Sequence, residues 1–124
     1  MKNPIETNQL TTYRFMLNAS LNPFTYLLVD SIHKREDRSY VNFFANEILR
    51  GYYDYNYYRI ELASEKKMTD NALLISLKGN RGSKVIGAVY YADSVELFQV
   101  SLKNNQAYIR EQKIGTLLKH KWEN

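Results

Sequence analysis

Two short turns constrain this chain more than any other feature. Gly79-Asn80-Arg81-Gly82-Ser83 and Asp93-Ser94 separate three β-prone runs, 72–78, 84–92 and 95–102. Connections this short join only neighbours that run in opposite directions, because a parallel crossover needs a dozen or more residues. The spacing therefore predicts an antiparallel meander. Just upstream, Tyr58, Ile60 and Leu62 alternate with Arg59 and Glu61, the period of a strand with one wet face. A fourth strand is expected there, with 64–71 as a polar turn. The Gly79–Lys84 run lacks the spacing of a phosphate-binding P-loop and joins two strands, so it reads as a hairpin.

The rest of the chain reads as helical. Leu10, Tyr13, Leu17 and Leu21 fall roughly on one side of a first helix, and Asn22-Pro23 ends it. The run 24–32 fits a helix face or a buried strand equally well. Asp37 precedes the stripe Val41, Phe44, Ala45 and Ile48, and Gly51 follows, giving an N-cap, an apolar face and a C-cap in helical order. After the meander, Ile114, Leu117, Leu118 and Trp122 give 108–122 an apolar helical side. The expected class is α+β in one domain, residues 1–124. N-terminal helices precede an antiparallel meander of three to four strands, and a C-terminal helix packs on the sheet.

Composition narrows the function classes. The chain has no cysteine, which excludes disulfides, thiolate metal sites and thiol nucleophiles. No apolar run approaches the ~18 residues of a membrane-spanning helix. Residues 1–6 lack the apolar core of a secretion leader. No membrane association and a cytoplasmic location are expected. His33 and His120 are the only histidines, with no metal-binding spacing around either, so no metal is expected. Charge is uneven: seven basic and eight acidic residues precede position 66, and ten and five follow. The basic half favours an acidic partner, whether a protein surface, a nucleic acid or a CoA-like phosphate.

Arg110-Glu111-Gln112-Lys113-Ile114-Gly115 follows a strand and opens the expected last helix. It resembles the acyl-CoA pyrophosphate loop of the GNAT family of N-acetyltransferases, which begins with glutamine or arginine, has glycine fourth and ends in glycine or alanine. Arg110 and Gly115 match, and Lys113 stands at the middle glycine. Val85-Ile86-Gly87-Ala88-Val89 resembles the family's third strand, so the likeness covers about residues 72–122. The resemblance implies that Arg110, Lys113 and Gly115 hold acetyl-CoA and would make Glu96 a general base, although Glu96, between Val95 and Leu97, reads more simply as a solvent-facing strand residue. The family's fifth strand and final helix have no counterpart here, which argues against acetyl transfer. A shortened acetyl-CoA-binding protein, with its cleft completed by a second copy, is the alternative reading.

The favoured reading starts from tyrosine, of which there are 11, five of them within Tyr52-Tyr53-Asp54-Tyr55-Asn56-Tyr57-Tyr58. Tyrosine pairs a large apolar face with a polar tip, and it is enriched at interfaces as well as in strands. Arg81 at the hairpin tip, with Lys78 and Lys84 at its base, forms an exposed basic finger able to touch phosphate or a carboxylate. We read Tyr52, Tyr53, Tyr55, Arg81 and Lys84 as a partner-binding surface on a non-catalytic regulatory protein. A protein is the expected partner, nucleic acid the second candidate, and self-association is compatible. Short lysine- and asparagine-rich chains of this kind resemble accessory proteins of phages and plasmids, including inhibitors of host defence such as CRISPR nucleases.

Overall fold

In a computed structural model, residues 24–30, 39–61, 67–68, 72–103 and 107–119 are described. They form nine strands and no α-helix: β1 Phe24–Asp30, β2 Ser39–Phe43, β3 Leu49–Arg50, β4 Tyr55–Glu61, β5 Lys67–Met68, β6 Leu73–Gly79, β7 Gly82–Tyr90, β8 Ser94–Lys103 and β9 Ala107–Lys119. One 3₁₀ turn, Ala45–Glu47, separates β2 from β3.

The strands hydrogen-bond in the order β3-β2-β1-β9-β8-β7-β6-β4, each pair antiparallel. An antiparallel bridge between Ile48 and Tyr57 brings the two ends of this row together. The sheet is thereby a nearly closed up-and-down barrel, with β5 attached in parallel to the start of β9. Eight strands around a barrel leave an interior about wide enough for side chains to fill, or for one small ligand.

Alternation fills it. Tyr26 and Leu28, Val41 and Phe43, Tyr58 and Ile60, Ile75 and Leu77, Ile86, Ala88 and Tyr90, Val95 and Leu97, and Leu117 are all buried in one cluster. Their registers agree across the seams: Ile60 faces Ile75, Ile75 faces Ile86, Val95 faces Leu117, and Leu117 faces Leu28. Full burial of such a side chain contributes about 1.5–3 kcal/mol, which offsets the entropy of ordering the strands. Aromatic rings occupy the middle. Phe43 meets Tyr58 edge-on at 4.9 Å and Tyr26 at 5.7 Å. The Tyr58 hydroxyl donates to the Phe44 carbonyl at 3.0 Å. Among the described residues no buried side-chain nitrogen or oxygen lacks a partner.

The α+β expectation is corrected to all-β. The meander is found, with strands at 73–79, 82–90 and 94–103, and with Asn80-Arg81 alone forming the first turn. The open run at 24–32 resolves to a strand at Phe24–Asp30. The predicted helix after Asp37 is instead β2, the 3₁₀ turn and β3. Val41 and Phe43 point inward with a period of two, and Asn46 and Glu47 take left-handed φ values of 64° and 63°. Gly51 is no helix cap. At φ 89° it lies where an added Cβ would stand 2.0 Å from the Tyr40 carbonyl oxygen.

The predicted C-terminal helix is β9. Leu97 pairs with Gly115 but Phe98 pairs with Lys113, so Ile114 is an extra residue in a β-bulge. Ile114 and Gly115 are therefore both buried, and the broken alternation imitates a helical stripe. The predicted first helix, 10–21, lies outside the described residues. No helix among the described residues is long and apolar enough to cross a membrane.

A candidate binding site at the barrel mouth

One end of the barrel carries a pocket of about 400 Å³ between the β3–β4 turn and the β6–β7 hairpin. Local geometry builds each wall. The Tyr55 amide donates to the Tyr52 carbonyl at 3.2 Å and closes a tight turn over Tyr53 and Asp54. Tyr53 sits in that turn at φ 49°, a left-handed conformation that side chains other than glycine rarely adopt. Gly79 passes directly beneath. A Cβ there would lie 2.3 Å from the Asp54 carbonyl oxygen, so only glycine lets the hairpin approach the turn.

A second bulge orients the tyrosines. Tyr55 pairs with Gly79 and Tyr57 with Lys78, so Asn56 is the extra residue. Tyr55 consequently packs against the core and lines the pocket, while Tyr57 is exposed on the outer face. Tyr52 is buried, with Tyr53 edge-on at 4.7 Å and Tyr55 stacked at 6.2 Å. Tyr53 is 55% exposed. Across the mouth, the Arg81 guanidinium lies 3.4 Å from the Asp54 carboxylate, both side chains reaching into solvent. Lys84, exposed, stands opposite Leu77 on the inward register at the end of the barrel. Leu77, Ile86 and Ile114 form the apolar floor, with Gln99 beside them.

All five residues read from the sequence as partner-binding line this one pocket: Tyr52, Tyr53, Tyr55, Arg81 and Lys84. They differ in kind. Tyr52 is a core residue that shows the pocket only an edge, Tyr55 is half-buried, and Tyr53, Arg81 and Lys84 are exposed. Sequence reasoning missed Asp54 as the partner of Arg81 and Gly79 as the spacer. It also missed the floor residues Gln99 and Ile114, which lie far away along the chain. The Tyr-Tyr-Asp-Tyr run reads in sequence as an interface cluster, and no local signal joins it to β8 and β9.

Arg110, Lys113 and Gly115 lie along β9 and not at a helix start. Arg110 stacks over the Phe98 ring at 4.7 Å and Lys113 bonds to Glu96 at 3.0 Å, both on the outer face. Gly115 is buried on the inner side, where a Cβ would meet the Val29 carbonyl at 3.2 Å. The three do not converge on one anion site, and no row of free helical N–H groups is present there to hold a pyrophosphate. The Lys113 hydrogen bond, helped by the Tyr91 hydroxyl, holds Glu96 below the usual carboxylate range. A carboxylate shifted that way is a weaker base, not a stronger one. Among the described residues no group of three or more His, Cys, Asp or Glu side chains could hold a metal.

Comparison with protein-family models, curated proteins and solved structures finds no match to this chain.

Proposed function

We propose that this is a non-catalytic binding protein whose barrel mouth captures a protruding segment of a protein partner. The observation that carries the reading is Tyr53. A tight turn with a left-handed residue is made most cheaply with glycine or asparagine, and an exposed tyrosine there adds strain without filling the core. Strain of that kind is retained where a side chain is needed at the rim. Around Tyr53 the mouth combines aromatic faces, an arginine and an apolar floor, the residue types that concentrate binding energy at protein interfaces. Its lining holds one carboxylate and no histidine or cysteine. A mode of action by occupying a macromolecule suits the accessory, host-defence-inhibiting role suggested by size and composition.

The test is native mass spectrometry of the protein as purified from its own cells, beside a Tyr53→Gly variant. The expected result is a protein partner on the wild type that is lost from a variant melting no lower. A wild type carrying acetyl-CoA or nucleic acid in place of a protein would overturn this reading. So would a partner retained in full by Tyr53→Gly.

A further inference from the structure

Building on capture at the mouth, we infer that the segment it accepts is acidic, and that a carboxylate of the partner replaces Asp54 on Arg81. Asp54 is the single carboxylate among the residues lining the pocket, against the two cations Arg81 and Lys84. Its pair with Arg81 is long at 3.4 Å, and the two side chains are 65% and 86% exposed. Such pairs are weak, because water and salt screen them while both side chains give up rotamer freedom. Asp54 thus steers the guanidinium over the mouth without holding it firmly. Lys84 has no ion-pair partner among the described residues and points along the same end of the barrel.

An entering carboxylate would meet the arginine fork and a second cation together. It would do so beside the rings of Tyr53 and Tyr55, which exclude water from the new pair. A pair so shielded outlasts the open one it displaces. A pocket of about 400 Å³ admits a side chain or two and leaves the rest of the segment on the rim. Nucleic acid fits less well. On the outer face Arg59 is paired with Glu47 at 2.9 Å and Glu61 lies one pleat away, so among the described residues these acidic groups interrupt the basic surface that exposed Lys78 begins at the base of the hairpin.

The test uses isotope-labelled full-length protein in an NMR titration. The probes are a hexapeptide of alternating glutamate and tyrosine, its glutamine counterpart, and single-stranded oligothymidine. The glutamate peptide should move the amides of Tyr53, Asp54, Arg81 and Lys84, and the glutamine peptide should bind roughly tenfold more weakly. Asp54→Asn removes the internal competitor and should tighten the glutamate peptide by roughly two- to fivefold. Arg81→Glu and the milder Arg81→Gln should both abolish that gain. Equal binding of the two peptides overturns the inference, as does weaker binding by Asp54→Asn. Oligothymidine moving these amides while the peptides leave them unchanged also overturns it. A natural partner that is lost from Tyr53→Gly but keeps its affinity and salt dependence with Arg81→Glu would leave capture at the mouth standing and remove only its acidic character.

Discussion

Tyr52, Tyr53 and Tyr55 are neighbours in sequence and do different work. Tyr52 is buried among rings, so Tyr52→Ala should cost about 3–5 kcal/mol of folding stability, as other buried aromatic truncations do. Tyr53→Gly should do the reverse. It relieves a left-handed tyrosine, a strain of about 1–3 kcal/mol, against about 1 kcal/mol of added chain entropy in the unfolded state. Urea denaturation of the two variants reads both values. A Tyr53→Gly protein that unfolds markedly earlier would show that the ring serves the fold. Tyr90 offers a pH test of the core. Burial pushes its phenol well above the ordinary tyrosine range, and the neighbouring Tyr26 and Tyr58 add to the shift. The native state therefore holds the proton more tightly than the unfolded state. Its contribution is complete below the unfolded tyrosine value of about 10 and is lost as pH rises beyond it. Stability measured against pH should fall more gently on the alkaline side in Tyr90→Phe than in the wild type.

At the scale of elements, close approach is what places the mouth. The β6–β7 hairpin presses on the β3–β4 turn through Gly79, and the same turn region rests on β2 through Gly51. Gly79→Ala should force the backbones apart, lower stability by more than about 2 kcal/mol and change the mouth. Gly82, at φ 131°, faces open space, so Gly82→Ala carries only the conformational cost of about 1 kcal/mol or somewhat more. A set of urea melts ranks them, and equal losses at the two positions would contradict the contact at Gly79. Arg81 stands between these glycines, so the hairpin that positions the cation is also the one most sensitive to an added methyl group.

For the whole molecule, the barrel is unevenly sealed. β9 pairs with β8 and β1 over long registers, whereas the β3 side meets β4 through one backbone bridge, Ile48–Tyr57, with the side-chain contacts Tyr58–Phe44 and Arg59–Glu47 beside it. Opening should begin at that thin seam, since local unfolding follows the fewest hydrogen bonds and contacts. Hydrogen exchange should be faster in 48–50 than in 86–90 or 114–118, and the order would reverse if β9 were the weak strand. The seam borders the β3–β4 turn, so its opening would also loosen Tyr53 and Asp54. The antiparallel meander from Leu73 to Lys103 was legible in the amino-acid order, because two-residue and similarly short turns leave the chain no other arrangement. The same order marked Tyr52, Tyr53, Tyr55, Arg81 and Lys84 through the chemistry of aromatic and basic side chains, without saying that they meet. Their meeting depends on a bulge at Asn56 and a glycine contact at Gly79, both between segments far apart in sequence. The C-terminal strand was hidden for a similar reason. Ile114 is buried with Gly115 and Leu117 because a bulge against β8 breaks the strand period, Leu118 is exposed, and pairing with β8 and β1 satisfies backbone groups that a lone helix would satisfy within itself. Local spacing sets which turns can close, but a bulge and a barrel seam exist only once a second strand is there to pair, so the tertiary structure alone decided that this chain is a barrel and which of its tyrosines stand at the mouth.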